Sequence, residues 1–508
     1  MNFVTCLRQH ATNFSYRDAL IEGETRFTFG QWKQTSERFA GHLQTKEVRE
    51  GDRVILLMLN GTNFAITYLG VLAMGGVPVP INARSTASDL EYILQDTQAK
   101  SLIVDERLLP IVSDAKIPDR VYKIKSGLAQ TGWNSLYDIL QEPVQLRHVH
   151  INSHQEATVL YTSGTTGRPK GIRFSYEALQ TTAAMFALEF QFTNTSRLLH
   201  LMPLSHSAPL NLVFHAGLLT GSTHVFAPTF TPELLLQLTA KEKTTHFFGA
   251  PIAYLAAMQH PEFSSYDLSS AKYWIYGGAP LSGGMANQVG SVFSLDKLVC
   301  VYGLSEAGPS GSLLRHSEFP DKAGSIGKRA PLFTEIELVR NDGELCSSGE
   351  VGEIRLRGAG CMLGYLQRPE ETEETMRDGW IYTGDLARRD DDGFYWMVDR
   401  KKDMIISGGV NIYPKEVETV LEQHPDIQEI AVVGVPHEQW GETVKACIVP
   451  KEGSNVPTEE AWLKEMKAFL SGKVADYKVP RLVDVLDVLP RNASGKLLKH
   501  LLREVPQA

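Results

Sequence analysis

Cysteine is scarce: five residues in 508 (Cys6, Cys300, Cys346, Cys361, Cys447), scattered, with no CxxC or Cys/His metal spacing. An odd, sparse set excludes a disulfide framework and a structural zinc site. It reads as reduced thiols, small buried hydrophobes in a cytoplasmic protein. Positive charge is also short. The net charge of −9 argues against a nucleic-acid partner, whose binding needs clustered Lys and Arg. Small anions stay allowed, because backbone N–H groups bind them whatever the net charge. No membrane span is expected. The best apolar run, FAITYLGVLAMGGVPVPI from Phe64 to Ile81, holds a Gly pair and two prolines and reads as a core helix leading into an extended segment. The start, MNFVTCLRQHATNF, has no basic stretch followed by an apolar core, so no signal peptide is expected, and there is no repeat or low-complexity tract.

What is present is 43% hydrophobic and 21% charged, ordinary globular composition in a chain too long for one simple core. RVILLML (53–59), SLIVD (101–105), ATVLYTS (157–163), LLHLMP (198–203), THFFGA (245–250), KYWIYGG (272–278) and KLVCVYG (297–303) read as buried strands. Helical patterns lie between several of them: Gln31 to Lys46, with Trp32, Phe39 and Leu43 on one face, and Pro232 to Lys241, opened by Thr231 as N-cap. Such alternation implies stacked α/β layers with mostly parallel pairing, and Gly-ended strand exits such as YGGAP and VYGLSE are where ligands sit in open α/β sheets. After about residue 325 the texture changes: EIELVR, GEIRLRG and GFYWMVDR alternate as half-exposed antiparallel strands do. Beyond DRKKD (399–403), a helix after Pro414, the strands EIAVVGVP and VKACIVP, and a helix from about Thr458 to Gly472 make a compact α+β unit. The boundary is expected at 400–402, dividing a domain of 1–399 from one of 403–508.

Residues 161–171 read YTSGTTGRPKG, a run suited to wrapping a phosphate. It is not a P-loop: GxxxxGK[ST] fails, because Gly164 and Gly167 are three apart, Lys170 follows Pro169, and Gly171 stands where a hydroxyl residue is needed. The physics survives, since the backbone N–H groups of a Gly/Thr turn and hydroxyls from Thr162, Ser163, Thr165 and Thr166 can cradle a polyphosphate.

In its details the run resembles the phosphate loop of the adenylate-forming superfamily: acyl-CoA synthetases, luciferases and peptide-synthetase adenylation domains. Six further stretches carry the resemblance over almost the whole chain: MPLSH ending at His206, YGGAP (276–280), VYGLSEAG (301–308), YTGD (382–385), DRKKDMIISGGVNIYPKEVE (399–418) and LPRNASGK (489–496). The resemblance implies a large N-terminal domain of layered α/β sheets plus a distorted β-barrel, and a small mobile α+β C-terminal domain. It implies activation of a carboxylate by attack on the α-phosphorus of ATP, release of pyrophosphate, and transfer of the acyl group to a thiol.

Residue by residue, the resemblance makes Ser163, Gly164, Thr165, Thr166 and Gly167, with Lys170, the cradle of the β- and γ-phosphates. Thr162 and Glu306 would lie by Mg²⁺, a hard cation that prefers oxygen ligands. Tyr302, Gly303, Leu304 and Ser305 would hold the adenine against Gly278, Ala279 and Pro280. Asp385 would accept both ribose hydroxyls, with Arg400 beside it. Lys496 resembles the lysine that catalyses adenylation. Lys402 occupies the hinge position at 400–402, about which the small domain rotates. His206 resembles a residue that changes rotamer between the two steps.

The resemblance favours free CoA as acceptor. Trp440 in HEQWGE aligns with a tryptophan that stacks on the CoA adenine in aryl-CoA ligases. Arg84, Lys478 and Arg481 would add cations, and Gly408 and Gly409 would leave room for pantetheine. The acid is expected to be neutral. Ser207 stands where amino-acid activators carry an aspartate, and FFGAPIAYLAAM (247–258) has no basic residue for a second carboxylate. Ser207, Phe247, Phe248, Gly249, Tyr276 and Gly277 would shape a pocket for an aryl or medium- to long-chain aliphatic tail. The expected function is therefore AMP-forming acid–CoA ligase. The alternatives are an acyl-AMP ligase loading a carrier-protein pantetheine and a non-catalytic nucleotide-binding protein; a homodimer is left open.

Overall fold

The computed structural model describes residues 2–162, 168–279, 281–454, 458–491 and 497–503, and the chain forms two compact units, 1–336 with 355–382 and 337–354 with 383–508. In the larger unit the apolar runs become strands. One sheet has the order Gly311–Arg315, Leu298–Gly303, Tyr273–Gly277, His246–Gly249, Arg197–His200, Thr223–Phe226, Asp18–Glu22, Thr25–Thr28. Its six inner strands are parallel and only the two edges run antiparallel. A second, parallel sheet runs Val77–Pro80, Arg53–Leu57, Ser101–Val104, Tyr122–Lys125, Asn134–Ser135. The inner strands bury both faces, which explains their near-continuous apolar sequence.

ATVLYTS joins neither layer. Glu156–Thr162 pairs antiparallel with Lys170–Ser175, which pairs in turn with Gly364–Tyr365. The seven residues between 162 and 170 are too few for the crossover that a parallel neighbour needs. The helix read from Gln31 starts at Phe29, because Thr28 closes a capping box with Gln31. Pro232–Glu242 is capped as expected, Thr231 Oγ1 accepting from Leu234 N–H at 3.1 Å. The apolar run 64–81 forms a helix, Thr62–Ala73, and the strand Val77–Pro80, both buried in the core. Among the described residues no helix is long and apolar enough to cross a membrane.

In the smaller unit a sheet runs Val410–Ile412, Ile405–Ser407, Gly441–Pro450, Ile427–His437, with Leu482–Val485 parallel to Gly441–Pro450. The long hairpin of this sheet alternates its side chains. Ile430 and Val432 pack with Val417, Leu421, Trp462 and Met466 of the helices Pro414–Leu421 and Glu459–Leu470, while Ala431, Val433 and Cys447 pack with Leu489 and Leu502. All five cysteines are free thiols, four buried and Cys361 half-buried.

Candidate active site

The inner strands of the large sheet deliver their carboxyl ends to one edge, the place where open α/β sheets bind ligands. Gly249, Gly277 and Gly303 end three of them, and the chain from Leu201 to Ser207 leaves a fourth. Glycine at 277 is a packing requirement, since a Cβ there would lie 2.4 Å from the Val301 carbonyl oxygen. Gly278 follows with φ +80, a left-handed turn that a side chain resists. Beyond Gly303 a single 3₁₀ turn, Ser305–Ala307, presents Glu306. The exits are joined by a hydrogen bond between the hydroxyls of Ser207 and Ser305 at 2.7 Å. Ser207 leads into a π-helical turn, Ala208–Phe214, in which His215 N–H reaches the Leu210 carbonyl. Such turns recur at functional sites.

His206 lies at the same edge. Asn82 Nδ2 donates to its Nε2 at 3.1 Å, while Asn82 Oδ1 accepts from Arg84 N–H at 2.8 Å. Burial lowers the His206 pKa, so the ring is a neutral imidazole whose Nε2 accepts. Asn82, inside the INARST stretch, is a partner the sequence reading missed.

Thr162 and Lys170 face each other across the antiparallel hairpin and bracket the phosphate-loop sequence. Ser163, Gly164, Thr165, Thr166 and Gly167 lie outside the described residues, as do Pro280 and Lys496. The Lys170 ammonium pairs with Glu371 and lies 5.2 Å from the centroid of the Tyr365 ring. The Tyr365 hydroxyl donates to Glu306 Oε1 at 2.7 Å. Burial first, then the Glu306 charge, pushes the Tyr365 pKa up, so it remains a neutral donor. Neither Tyr365 nor Glu371 was singled out in the sequence. Glu306 and the Thr162 hydroxyl supply hard oxygen donors, and one carboxylate oxygen remains beside the one that Tyr365 engages. That donor set fits Mg²⁺ held jointly with phosphate oxygens.

The residues expected to wall the acid pocket divide between the two faces of the sheet. Phe248 shares a face with Ile275 and Gly277, and its Cε2 is 3.6 Å from where a Gly277 Cβ would be. Phe247 points to the opposite face, its ring packed against Tyr254 at 5.7 Å and Trp274 at 6.5 Å. Gly249 and Tyr276 share the face of Phe247, and the Tyr276 hydroxyl hydrogen-bonds His316 Nε2 at 2.8 Å. Strand alternation enforces this split.

In the smaller unit Asp385 stands opposite Arg400 on paired strands, and Arg400 Nε lies 2.8 Å from Asp385 Oδ1. The Lys402 carbonyl accepts from Arg503 Nη2 at 2.8 Å. Gly408 and Gly409 both have positive φ, +58 and +79, and Gly408 N–H donates to the Trp440 carbonyl at 2.9 Å. Trp440 is sandwiched. His437 stacks on it at 4.3 Å with 13° between the planes, and the Arg481 guanidinium lies 3.5 Å from the ring centroid. Two groups that close cannot share one face, so both faces are covered. Lys478 Nζ donates to both Glu416 carboxylate oxygens, at 2.6 and 2.7 Å.

Against known proteins, the AMP-binding enzyme family matches residues 7–366 and the AMP-binding enzyme C-terminal domain matches 416–496. The chain is 36% identical over 488 residues to a feruloyl-CoA synthase of Amycolatopsis sp, covering 96% of this chain and 95% of that one. It is 34% identical over 532 residues to a long-chain-fatty-acid–CoA ligase of Bacillus subtilis, covering 98% and 93%. A solved ATP-bound RpMatB-BxBclM chimera superposes with a TM-score of 0.87 at 27% identity, covering 99% of this chain and 98% of the other.

Proposed function

The chain belongs to the AMP-binding enzyme family, and from that premise we propose that it is an AMP-forming acid–CoA ligase acting on a neutral aryl or medium- to long-chain aliphatic acid. The observation that carries this reading is the meeting of separate motifs at one sheet edge, where the Ser207–Ser305 hydrogen bond joins two strand exits and Glu306 is tied through Tyr365 to the phosphate hairpin. The acid's carboxylate oxygen attacks the α-phosphorus of ATP, the α–β bridging bond breaks, and pyrophosphate leaves. The CoA thiol, giving up its proton to water, then attacks the acyl carbon, and AMP leaves with the electron pair of the broken mixed-anhydride bond.

Each step concentrates negative charge, so donors fixed in advance lower the barrier. Residues 163–167 and Lys170 hold the β- and γ-phosphates. Thr162 and Glu306 would hold Mg²⁺, which would supply charge neutralisation for the phosphates. Tyr302 to Ser305 and Gly278 to Pro280 hold the adenine, while Asp385 and Arg400 hold the ribose. Lys496 meets the charge developing between carboxylate and α-phosphate. Neutral His206 can turn without first losing a proton. Rotation about 400–402 exchanges Lys496 for the face bearing Gly408, Gly409 and Trp440, with Arg84, Lys478 and Arg481 as further cations for CoA.

The covered faces of Trp440 favour one competing reading, an acyl-AMP ligase whose acceptor is a carrier-tethered pantetheine with no adenine to stack. A panel of aryl and aliphatic acids, assayed for pyrophosphate release and for thioester formation on free CoA, decides. Thioester on free CoA is expected. Pyrophosphate release without thioester favours the carrier, and ATP split only to ADP overturns the proposal.

A further inference from the structure

The segment 358–372 stitches two parts of the site together. Leu363 N–H and Leu366 N–H donate to the carbonyls of Arg173 and Gly171 on the phosphate hairpin, both at 2.7 Å, while Met362 N–H donates to the Glu306 carbonyl at 2.8 Å. Gly308, just past Glu306, has φ +74, and a Cβ there would lie 2.2 Å from the Gly360 carbonyl oxygen, so the two loops are pressed backbone to backbone. Tyr365 stands at the centre of this seam, opposite Ile172 in the strand pairing. It is 8% exposed. Its hydroxyl reaches Glu306 and its ring reaches Lys170.

Resting on the ligase reading, we propose that Tyr365 is a positioning residue that sets Glu306 for its cation through the hydroxyl and supports Lys170 for the phosphates through the ring. The hydroxyl donates one strong hydrogen bond to an ionised acceptor, which fixes the carboxylate's rotation and leaves Oε2 to face a cation. The ring offers its negative face to the ammonium. Glu371 neutralises Lys170, so an arriving phosphate replaces one carboxylate while the aromatic support stays. One buried side chain thus ties the metal-handling group to the phosphate-handling group.

The test uses the full chain and titrates Mg²⁺ into protein with α,β-methylene-ATP, whose α–β bridge cannot break to donate AMP, by calorimetry. Tyr365→Phe keeps the ring and loses the hydroxyl. It is expected to raise the Mg²⁺ concentration at half-saturation about tenfold while metal-free nucleotide binding stays unchanged. Tyr365→Leu also loses the aromatic face and is expected to weaken metal-free binding about five- to thirtyfold, the loss of one largely desolvated cation–π contact. Tyr365→Phe on top of Glu306→Gln is expected to add no further loss of Mg²⁺ response, because the hydroxyl acts only through that carboxylate. A wild-type Mg²⁺ midpoint in Tyr365→Phe, or an additive loss in the double variant, overturns the hydroxyl's role. Equal metal-free binding in the Phe and Leu variants overturns the ring's role. If the unmodified protein shows no Mg²⁺-dependent nucleotide binding, the ligase reading falls instead.

Discussion

Gly277, Gly303 and the turn through His206 and Ser207 take their places from strand ends, whereas Arg400, Lys478 and Arg481 take theirs from side-chain partners. In the larger unit the candidate groups are set by strand ends and by side-chain hydrogen bonds. Gly277 lies against the Val301 carbonyl, Asn82 and Ser305 hold His206 and Ser207, and Tyr365 holds Glu306. In the smaller unit the cations expected to meet nucleotide or CoA are engaged already: Arg400 by Asp385 at 2.8 Å, Lys478 by Glu416 and Arg481 by Trp440. A ligand arriving there exchanges partners. A rigid edge suits a step that needs donors fixed in advance, and exchangeable contacts suit a face presented for one step and withdrawn for another.

That contrast breaks hardest at Lys496. If the larger unit alone performed adenylation, replacing a lysine of the smaller unit would change only the thiol step. The proposal requires the opposite. Lys496→Ala is expected to lower carboxylate-dependent pyrophosphate exchange about 10³-fold, near 4 kcal/mol, by removing a cation fixed on developing charge. ATP binding measured by calorimetry should stay within about threefold, since the phosphates have other donors. Near-normal exchange would remove Lys496 from the chemistry.

How much of this was legible follows the same contrast. The strand exits could be read because apolar runs ending in glycine mark the carboxyl ends of buried strands, and the structure gathers YGGAP and VYGLSE at one edge. The division of Phe247 from Phe248 needed the register: alternation says that they face apart, but only the pairing with Trp274 and Ile275 says which neighbours each meets. Tyr365 and Glu371 were invisible locally. The pairing of Tyr365 with Ile172 is set by a sheet whose strands are far apart in the chain, and nothing in GYLQRPEE announces it. His437 reaches Trp440 through the turn at His437–Gly441, and Arg481 is brought near by its N–H bond to the Val444 carbonyl. The first contact is made by a local turn, and only the second needed tertiary pairing.

The units also differ in imidazoles whose pKa burial lowers, and pH sharpens that difference. The histidines with lowered pKa values (His10, His200, His206, His215, His224, His246 and His316) all lie in the larger unit. Burial brings His215 and His224 down to about 3 from 6.5. The sign follows directly. Below pH 6.5 the unfolded chain binds protons that the folded core refuses, so stability present above pH 6.5 is lost as pH falls toward 3. At pH 5.5 these two residues together cost about 3 kcal/mol. Hydrogen exchange at pH 7.5 and 5.5 should therefore show loss of protection in Arg197–His200 and Thr223–Phe226 that exceeds any in Ile427–His437. Equal losses in both units would mean that the imidazoles are hydrated or paired in solution.

The smallest expected effect probes the exchangeable side. Base stacking on an aromatic side chain is worth about 1–3 kcal/mol, and an exposed cation–π contact about 0.5–1. If the CoA adenine takes the face that Arg481 covers, the net gain is about 0.5–2 kcal/mol, so Trp440→Ala should raise the KM for CoA about two- to thirtyfold and leave the KM for ATP within twofold. Arg481→Ala separates the two jobs of the arginine. Uncovering the ring favours stacking and losing the cation disfavours phosphate binding, so the KM for dephospho-CoA, which lacks the 3′-phosphate, should rise less than that for CoA. Equal rises for the two acceptors would mean that Arg481 does not meet the 3′-phosphate. An unchanged KM for CoA in Trp440→Ala would make the Trp440 stack a fixed part of the smaller unit's packing, its side-chain contacts as permanent as the strand ends of the larger one.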